Sequence, residues 1–302
     1  LDHAGEYLFE QELIIIRLHL GSIANSRRDG DRAKQLGQRG LKAVARYSHS
    51  HYAWAMIVSQ KQGFVWIHNP KVAGTSFRAT IQRYHDWPTE FASVIFNERL
   101  GKKVDISHLR MWELPVGFPD LWALLPSLTT AVFVRDPLRR FISSCFQHYR
   151  QWDYGMDILN VPRTRQQIAI RSVMDRLTPE LLRFDARYVH FTPQREFIFL
   201  DGERIIRHVI PLSDIASAYE TLGIPPGPLE TLNRSRPELF EEIVTQEIVD
   251  FVRRFYAADY EFLDRICSNA IEPPPVPMPR QSSRVGIEVT ARRLARRLLP
   301  KS

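Results

Sequence analysis

"FVWIHNPKVAGTSFRATIQRYH", residues 64–85, reads as a buried strand, a short loop with a single glycine, and then a helix. A helix N-terminus exposes backbone N–H groups and the positive end of the helix dipole, so a loop wrapped around it can hold an anion with few formal charges. In that reading Gly74 lets the backbone approach the anion, Thr75 and Ser76 add hydroxyl donors, and Lys71 adds an ammonium at the start of the loop. The segment is not a Walker A loop, because GxxxxGK[ST] is absent and the lysine precedes the glycine. The same residues also fit an ordinary strand-to-helix turn with Thr75 or Ser76 as its N-cap.

A second stretch, "AVFVRDPLRRFISSCF" at 131–146, repeats the arrangement. Asp136 suits the cap of the following helix and Pro137 its first position, which explains that pair structurally. Arg135 falls at the carboxyl end of the strand, where open α/β sheets bind ligands, and Ser143, two turns into the helix, can reach the same anion. The alternative for Arg135 is a surface ion pair.

Together, "IHNPKVAGTS" and "VFVRDPLRRFISS" resemble the 5′-phosphosulfate loop and the 3′-phosphate element of sulfotransferases that use 3′-phosphoadenosine 5′-phosphosulfate (PAPS), the carbohydrate sulfotransferases and their bacterial relatives in particular. "TPQREFIFLDGE", "HVIPLSDIASAYETLGIP", "LNRSRPE" and "FYAADYEFL" extend the resemblance over about residues 62–264. It implies a P-loop NTPase-like α/β fold, a parallel sheet flanked by helices, with PAPS as sulfuryl donor and a carbohydrate or glycoconjugate as acceptor. It places Lys71 at the sulfate–phosphate bridge, Gly74, Thr75 and Ser76 around the 5′-phosphate, Arg135 and Ser143 on the 3′-phosphate, and Arg234 and Ser235 near the nucleotide. Two positions depart from the pattern: Val72 stands where many relatives carry a hydroxyl, and Cys145 where an aromatic is common.

Sulfuryl transfer to a hydroxyl requires a base. His108 in "ISHLRMWE" is the leading candidate, and its position between the two nucleotide elements resembles the "GH" histidine of the same relatives, with Ser107 here replacing the glycine. A structural hydrogen-bonding role for His108 is the alternative, with Glu113, Asp105 and His148 as other bases. His68 reads as loop support, while His190 and His208 carry no signal of their own. Trp112, Trp152 and Arg163 could line a sugar site or simply pack.

Outside these elements, residues 1–60 read as a helical N-terminal extension, 61–270 as the sulfotransferase-like domain, 271–284 as a Pro-rich linker, and 285–302 as a basic amphipathic tail. "FIFL" and "RHVIPL" read as strands, "SDIASAYETLG" as a helix capped by Ser213 or Asp214 and stopped by Gly223, and Pro237 to Arg265 as one long amphipathic helix. Residues 280–302 carry six Arg and one Lys against Glu288, or +6 of the formal +7, so the body is near neutral and nucleic acid is not expected as partner. The tail is the part suited to weak contact with an anionic membrane surface. Cys145 and Cys267 suggest buried thiols rather than a disulfide framework, and no spacing suggests a metal site. No 18-residue apolar run is present, so a cytoplasmic setting is expected, or a Golgi lumen if an N-terminal anchor precedes this sequence. The competing functions are a nucleotide-dependent kinase of similar fold and a non-catalytic anion- or lipid-binding protein.

Overall fold

The computed structural model describes residues 56–89, 91, 93–152, 160–227, 240 and 242–267. The expected N-terminal helices before residue 56, Arg234 and Ser235, the Pro-rich linker and the basic tail lie outside the described residues.

The central sheet has four strands in the order β1 (Ile57–Ser59), β2 (Phe64–Ile67), β5 (Thr129–Val134), β8 (His208–Pro211). β2, β5 and β8 run parallel, and β1 pairs antiparallel with β2, Ile57 opposite Trp66 and Ser59 opposite Phe64. The sheet is therefore mixed, and β1 occupies residues that the sequence alone assigned to the helical extension. Its turn closes on Gly63, whose φ of 73° favours glycine, while the Asp86 carboxylate accepts from the backbone N–H groups of Gln60 (2.7 Å) and Lys61 (3.0 Å).

Strand alternation sends side chains to opposite faces of the sheet. Phe64, Trp66, Ala131 and Phe133 face one side, against Val72, Phe77 and Ile81 of the first loop and helix and against Ala218, Tyr219 and Leu222. Val65, Ile67, Val132 and Val134 face the other, against Leu109, Met111, Leu114, Phe197 and Phe262. Both faces are thus covered, the condition under which an unbroken apolar run such as "FVWI" folds as a central parallel strand. A third cluster, including Phe141, Cys145, Ile170, Phe191, Val252 and Tyr256, packs the helices that follow β5. Cys145 is a buried free thiol within it.

The remaining elements are α1 (Gly74–Ile81), a hairpin of β3 (Val94–Asn97) and β4 (Lys102–Asp105), α2 (Leu114–Gly117), α3 (Pro119–Leu124), α4 (Pro137–Trp152), α5 (Arg163–Arg176), α6 (Pro179–Phe184), a second hairpin of β6 (Phe199–Leu200) and β7 (Glu203–Arg204), α7 (Ser217–Thr221), α8 (Gln246–Phe255) and α9 (Ala257–Cys267).

Three expectations need correction. Of "FIFL" only Phe199 and Leu200 form a strand, in a hairpin turned by Asp201 (φ 50°) and Gly202 (φ 90°), the Asp-Gly pair that tight hairpins favour. The helix after β8 is shorter than "SDIASAYETLG" and starts without a side-chain cap; Ser217 Oγ donates to Asp214 O, and Gly223, at φ 64°, follows its end. The long C-terminal helix is broken, because Thr245 caps α8 by accepting from Ile248 N, and Tyr256 leaves helical geometry to donate its hydroxyl to Phe191 O at 2.8 Å.

Candidate functional site

β2 and β5 are parallel and adjacent, so their carboxyl ends open side by side. His68–Ala73 leaves one, Arg135–Asp136 the other. In the first loop Lys71 (φ 65°) and Ala73 (φ 57°) both adopt left-handed backbone without being glycine. That conformation costs about 1–3 kcal/mol per residue and persists only when its surroundings enforce it. The enforcement comes from behind: Asn69 Nδ2 donates to Phe133 O (2.9 Å), Arg140 Nε to Pro70 O (3.0 Å) and Arg135 Nη1 to Lys71 O (3.2 Å). Carbonyls are drawn toward the guanidiniums. The loop then enters α1 through Ala73, an N-cap whose side chain cannot cap.

Thr75 and Ser76 are therefore inside the first turn of α1 rather than its cap, so the plain N-cap reading of either is incorrect. Gly74 has a nearer requirement than an anion. A Cβ there would lie 2.3 Å from His68 Nε2 and 3.1 Å from the Trp66 ring, so only glycine lets α1 seat on this pair without displacing it. The His68 ring stacks on Trp66, centroids 5.1 Å apart, which makes it a support for the loop.

Charge around the loop is strongly positive. Lys71 is lowered to about 7 by burial and then by the cations Arg150, Arg135 and Arg140. Burial and neighbouring cations also lower Arg135, and burial lowers Arg140, which is 1% exposed. Two acids moderate this, Asp136 acting on Arg135 and Asp259 on Arg140, while Asp136 accepts from Arg139 N (2.7 Å) and Asp259 from Gln194 N (2.8 Å) and Arg195 N (3.0 Å). Ser143 is half-buried on α4, at helical spacing from Arg139 and Arg150, a stripe that points a hydroxyl and two guanidiniums the same way. Arg140, Arg150 and Gln194 were not singled out from the sequence. For Arg140 and Arg150 the signal was present in the spacing i+5 and i+15 from Arg135; for Gln194, in "TPQ", there was none.

His108 is 2% exposed. Its Nδ1 lies 3.0 Å from His68 O, a carbonyl that can only accept, so Nδ1 carries the proton and Nε2 the lone pair. That Nε2 is 3.2 Å from His190 Nε2, so His190 donates to it when both rings are neutral. Burial lowers both imidazoles below their usual range, and neighbouring cations lower His190 further. His190 thus joins the site although its sequence context gave no signal.

The other proposed bases are committed elsewhere. Glu113 accepts from Arg110 Nη2 (2.5 Å) and pairs with Lys102 Nζ (2.8 Å); although burial pushes it up, the two cations hold it below the usual carboxylate range. Asp105 accepts from Ser107 N at 2.9 Å. His148 packs on Tyr188, centroids 4.7 Å apart, and on Phe191. Trp112 is ringed by Lys102, Arg110 and Arg183 at 4.4–5.4 Å, Arg163 is paired with Glu242, and Trp152 is 39% exposed at the end of α4.

Among the described residues no group of three or more His, Cys, Asp or Glu could hold a metal ion, and no helix is long and apolar enough to cross a membrane. No family model, curated protein or solved structure compared with the chain matches it.

Proposed function

We propose that this protein is a PAPS-dependent sulfotransferase of P-loop-like fold acting on a hydroxyl of a carbohydrate or glycoconjugate. The observation that carries the reading is that Arg135 and Arg140 both donate to the backbone of the loop that bears Lys71, to Lys71 O at 3.2 Å and Pro70 O at 3.0 Å, beside the N-terminus of α1. Such a cluster is costly unless an anion meets it. Two basic positions, one at the N-terminus of α1 and one beside Arg135 and Ser143, suit a nucleotide with phosphates at both its 5′ and 3′ positions. The carbohydrate acceptor comes from the sequence resemblance.

In this reaction an acceptor oxygen bonds to sulfur, the bond from sulfur to the 5′-phosphate oxygen breaks, and adenosine 3′,5′-bisphosphate leaves. Lys71, protonated by contact with the anion, stabilises charge growing on the bridge oxygen. The base is assigned to His108, whose Nε2 takes the acceptor's proton once the acceptor displaces the His190 N–H that this nitrogen otherwise accepts from. His108→Ala should leave nucleotide binding intact while lowering transfer about 10²–10⁴-fold; retained transfer would remove His108 from this role.

Equilibrium binding of adenosine 3′,5′-bisphosphate against ATP tests the donor. The bisphosphate should bind more tightly. A preference for ATP would transfer the site to a kinase-like function.

A further inference from the structure

Two turns that each hold part of one ligand must be kept at a fixed spacing. The side chain that spans them comes from neither. Gln194 follows the 3₁₀ segment 186–191 and is fully buried. Its Oε1 accepts from Asn69 Nδ2 (3.1 Å), at the root of the Lys71 loop, and from Arg135 N (3.0 Å), at the end of β5. Its Nε2 donates to Arg135 O at 2.7 Å. The amide therefore occupies both backbone groups of Arg135 as a neighbouring strand would, at the point where the sheet ladder has ended. Gln194 is itself fixed, because its N–H and that of Arg195 are both accepted by Asp259, a fully buried carboxylate on α9.

These contacts close a ring. Asn69 leads through Pro70 to Lys71, the Lys71 carbonyl accepts from the Arg135 guanidinium, and the Arg135 backbone returns through Gln194 to Asn69. The two turns are thus joined through hydrogen bonds of 2.7–3.2 Å.

We propose that Gln194 is a positioning residue that couples the two phosphate-binding turns, so that occupation of either one favours occupation of the other. This rests on the donor reading above. A ligand that orders one turn leaves less conformational freedom to be lost at the second, which is positive coupling without a new contact. The coupling makes the site selective for a bisphosphorylated nucleotide over either monophosphate.

The test is a ligand cycle by calorimetry on the full chain, with adenosine, adenosine 3′-phosphate, adenosine 5′-phosphate and adenosine 3′,5′-bisphosphate. In the parent, the product of the dissociation constants of the two monophosphates should exceed that of adenosine and the bisphosphate by about tenfold or more. In Gln194→Ala, and in Gln194→Glu, which keeps an acceptor for Asn69 and Arg135 N but loses the donor to Arg135 O, the ratio should fall to within about twofold of unity. A purely structural loss weakens all four ligands and leaves the ratio unchanged. Thermal melting identifies the variant that folds. A folded variant with the parent's ratio overturns the coupling while the donor reading stands, as does a parent ratio of unity. A parent that binds none of the phosphorylated ligands overturns both.

Discussion

Two regions of this protein gather cations, and they do so in opposite ways. Around Trp112, Lys102, Arg110 and Arg183 enclose an aromatic face, and Glu113 lies between the first two at 2.5–2.8 Å. Around the loop after β2, Arg135 and Arg140 donate to main-chain carbonyls, and the acids Asp136 and Asp259 are turned to backbone N–H groups. In the first cluster a carboxylate is paired directly with two of the cations; in the second the guanidiniums bond to loop carbonyls beside the N-terminus of α1, and the acids act on them without a direct ion pair. The difference separates a cation cluster tied together by its own carboxylate from the one to which the proposed function assigns an external anion, although both contain buried basic residues.

The largest effect expected from this contrast is on stability. Glu113→Ala leaves two buried cations facing each other and should destabilise the protein by about 3–5 kcal/mol, measured by denaturant unfolding. Its affinity for adenosine 3′,5′-bisphosphate, measured under conditions where it stays folded, should not change. A selective loss of nucleotide binding would merge the two regions into one site.

Lys71→Ala should behave inversely. It relieves crowding among cations, so the fold should not weaken, whereas transfer from labelled PAPS should fall a few hundredfold, about 3 kcal/mol of barrier. Nucleotide affinity should change less, since the lysine acts chiefly on charge that appears in the transition state. Unchanged transfer would take Lys71 out of the chemistry.

Smaller and more selective is Arg135→Ala. One charge-assisted hydrogen bond contributes about 1.5–3 kcal/mol, and the loss should be far larger for adenosine 3′,5′-bisphosphate than for adenosine 5′-phosphate, which registers only the lost contact from Arg135 to the Lys71 carbonyl. An equal loss for both ligands would mean that Arg135 serves only to hold the Lys71 carbonyl.

The smallest effect is a pH dependence. His68, His108 and His190 are all held below the usual imidazole value, chiefly by burial. In the unfolded chain they bind protons more readily, so their contribution to stability is complete above about pH 6.5 and is lost as the pH falls below it. The melting temperature should therefore drop between pH 7 and 5, and His190→Gln should reduce that drop. An equal acid response in the variant would place its origin outside the histidine group.

The elements that bear the site were legible because their signals are local. "FVWI" and "AVFV" are continuous apolar runs, Asp136-Pro137 is a helix start, and Lys71 and Arg135 follow directly from strand ends. The segment between 86 and 128 was not, since "VIFN" and "KKVD" alternate too briefly to distinguish from loop. The continuous helix expected from Pro237 to Arg265 failed at Thr245 and Tyr256, where a cap and a tertiary hydrogen bond override a periodic pattern. For the site, the strand ends pointed to Lys71 and Arg135, but nothing in the sequence connected Arg140 to the first loop, His190 to His108 or Gln194 to Arg135, the last two pairs 82 and 59 residues apart.

By itself, then, the sequence determined the strands β2, β5 and β8, the strand-to-helix turns after the first two, and the location of most excess charge in the tail, because each depends on residues close together along the chain. Tertiary structure decided which charged groups meet, since Glu113 pairs with Lys102 and Asp259 accepts from Gln194 and Arg195, partners that only packing brings near. It also decided that Gly74 must be glycine. That requirement comes from the His68 ring lying where a Cβ would be, a fact of close approach that no spacing encodes.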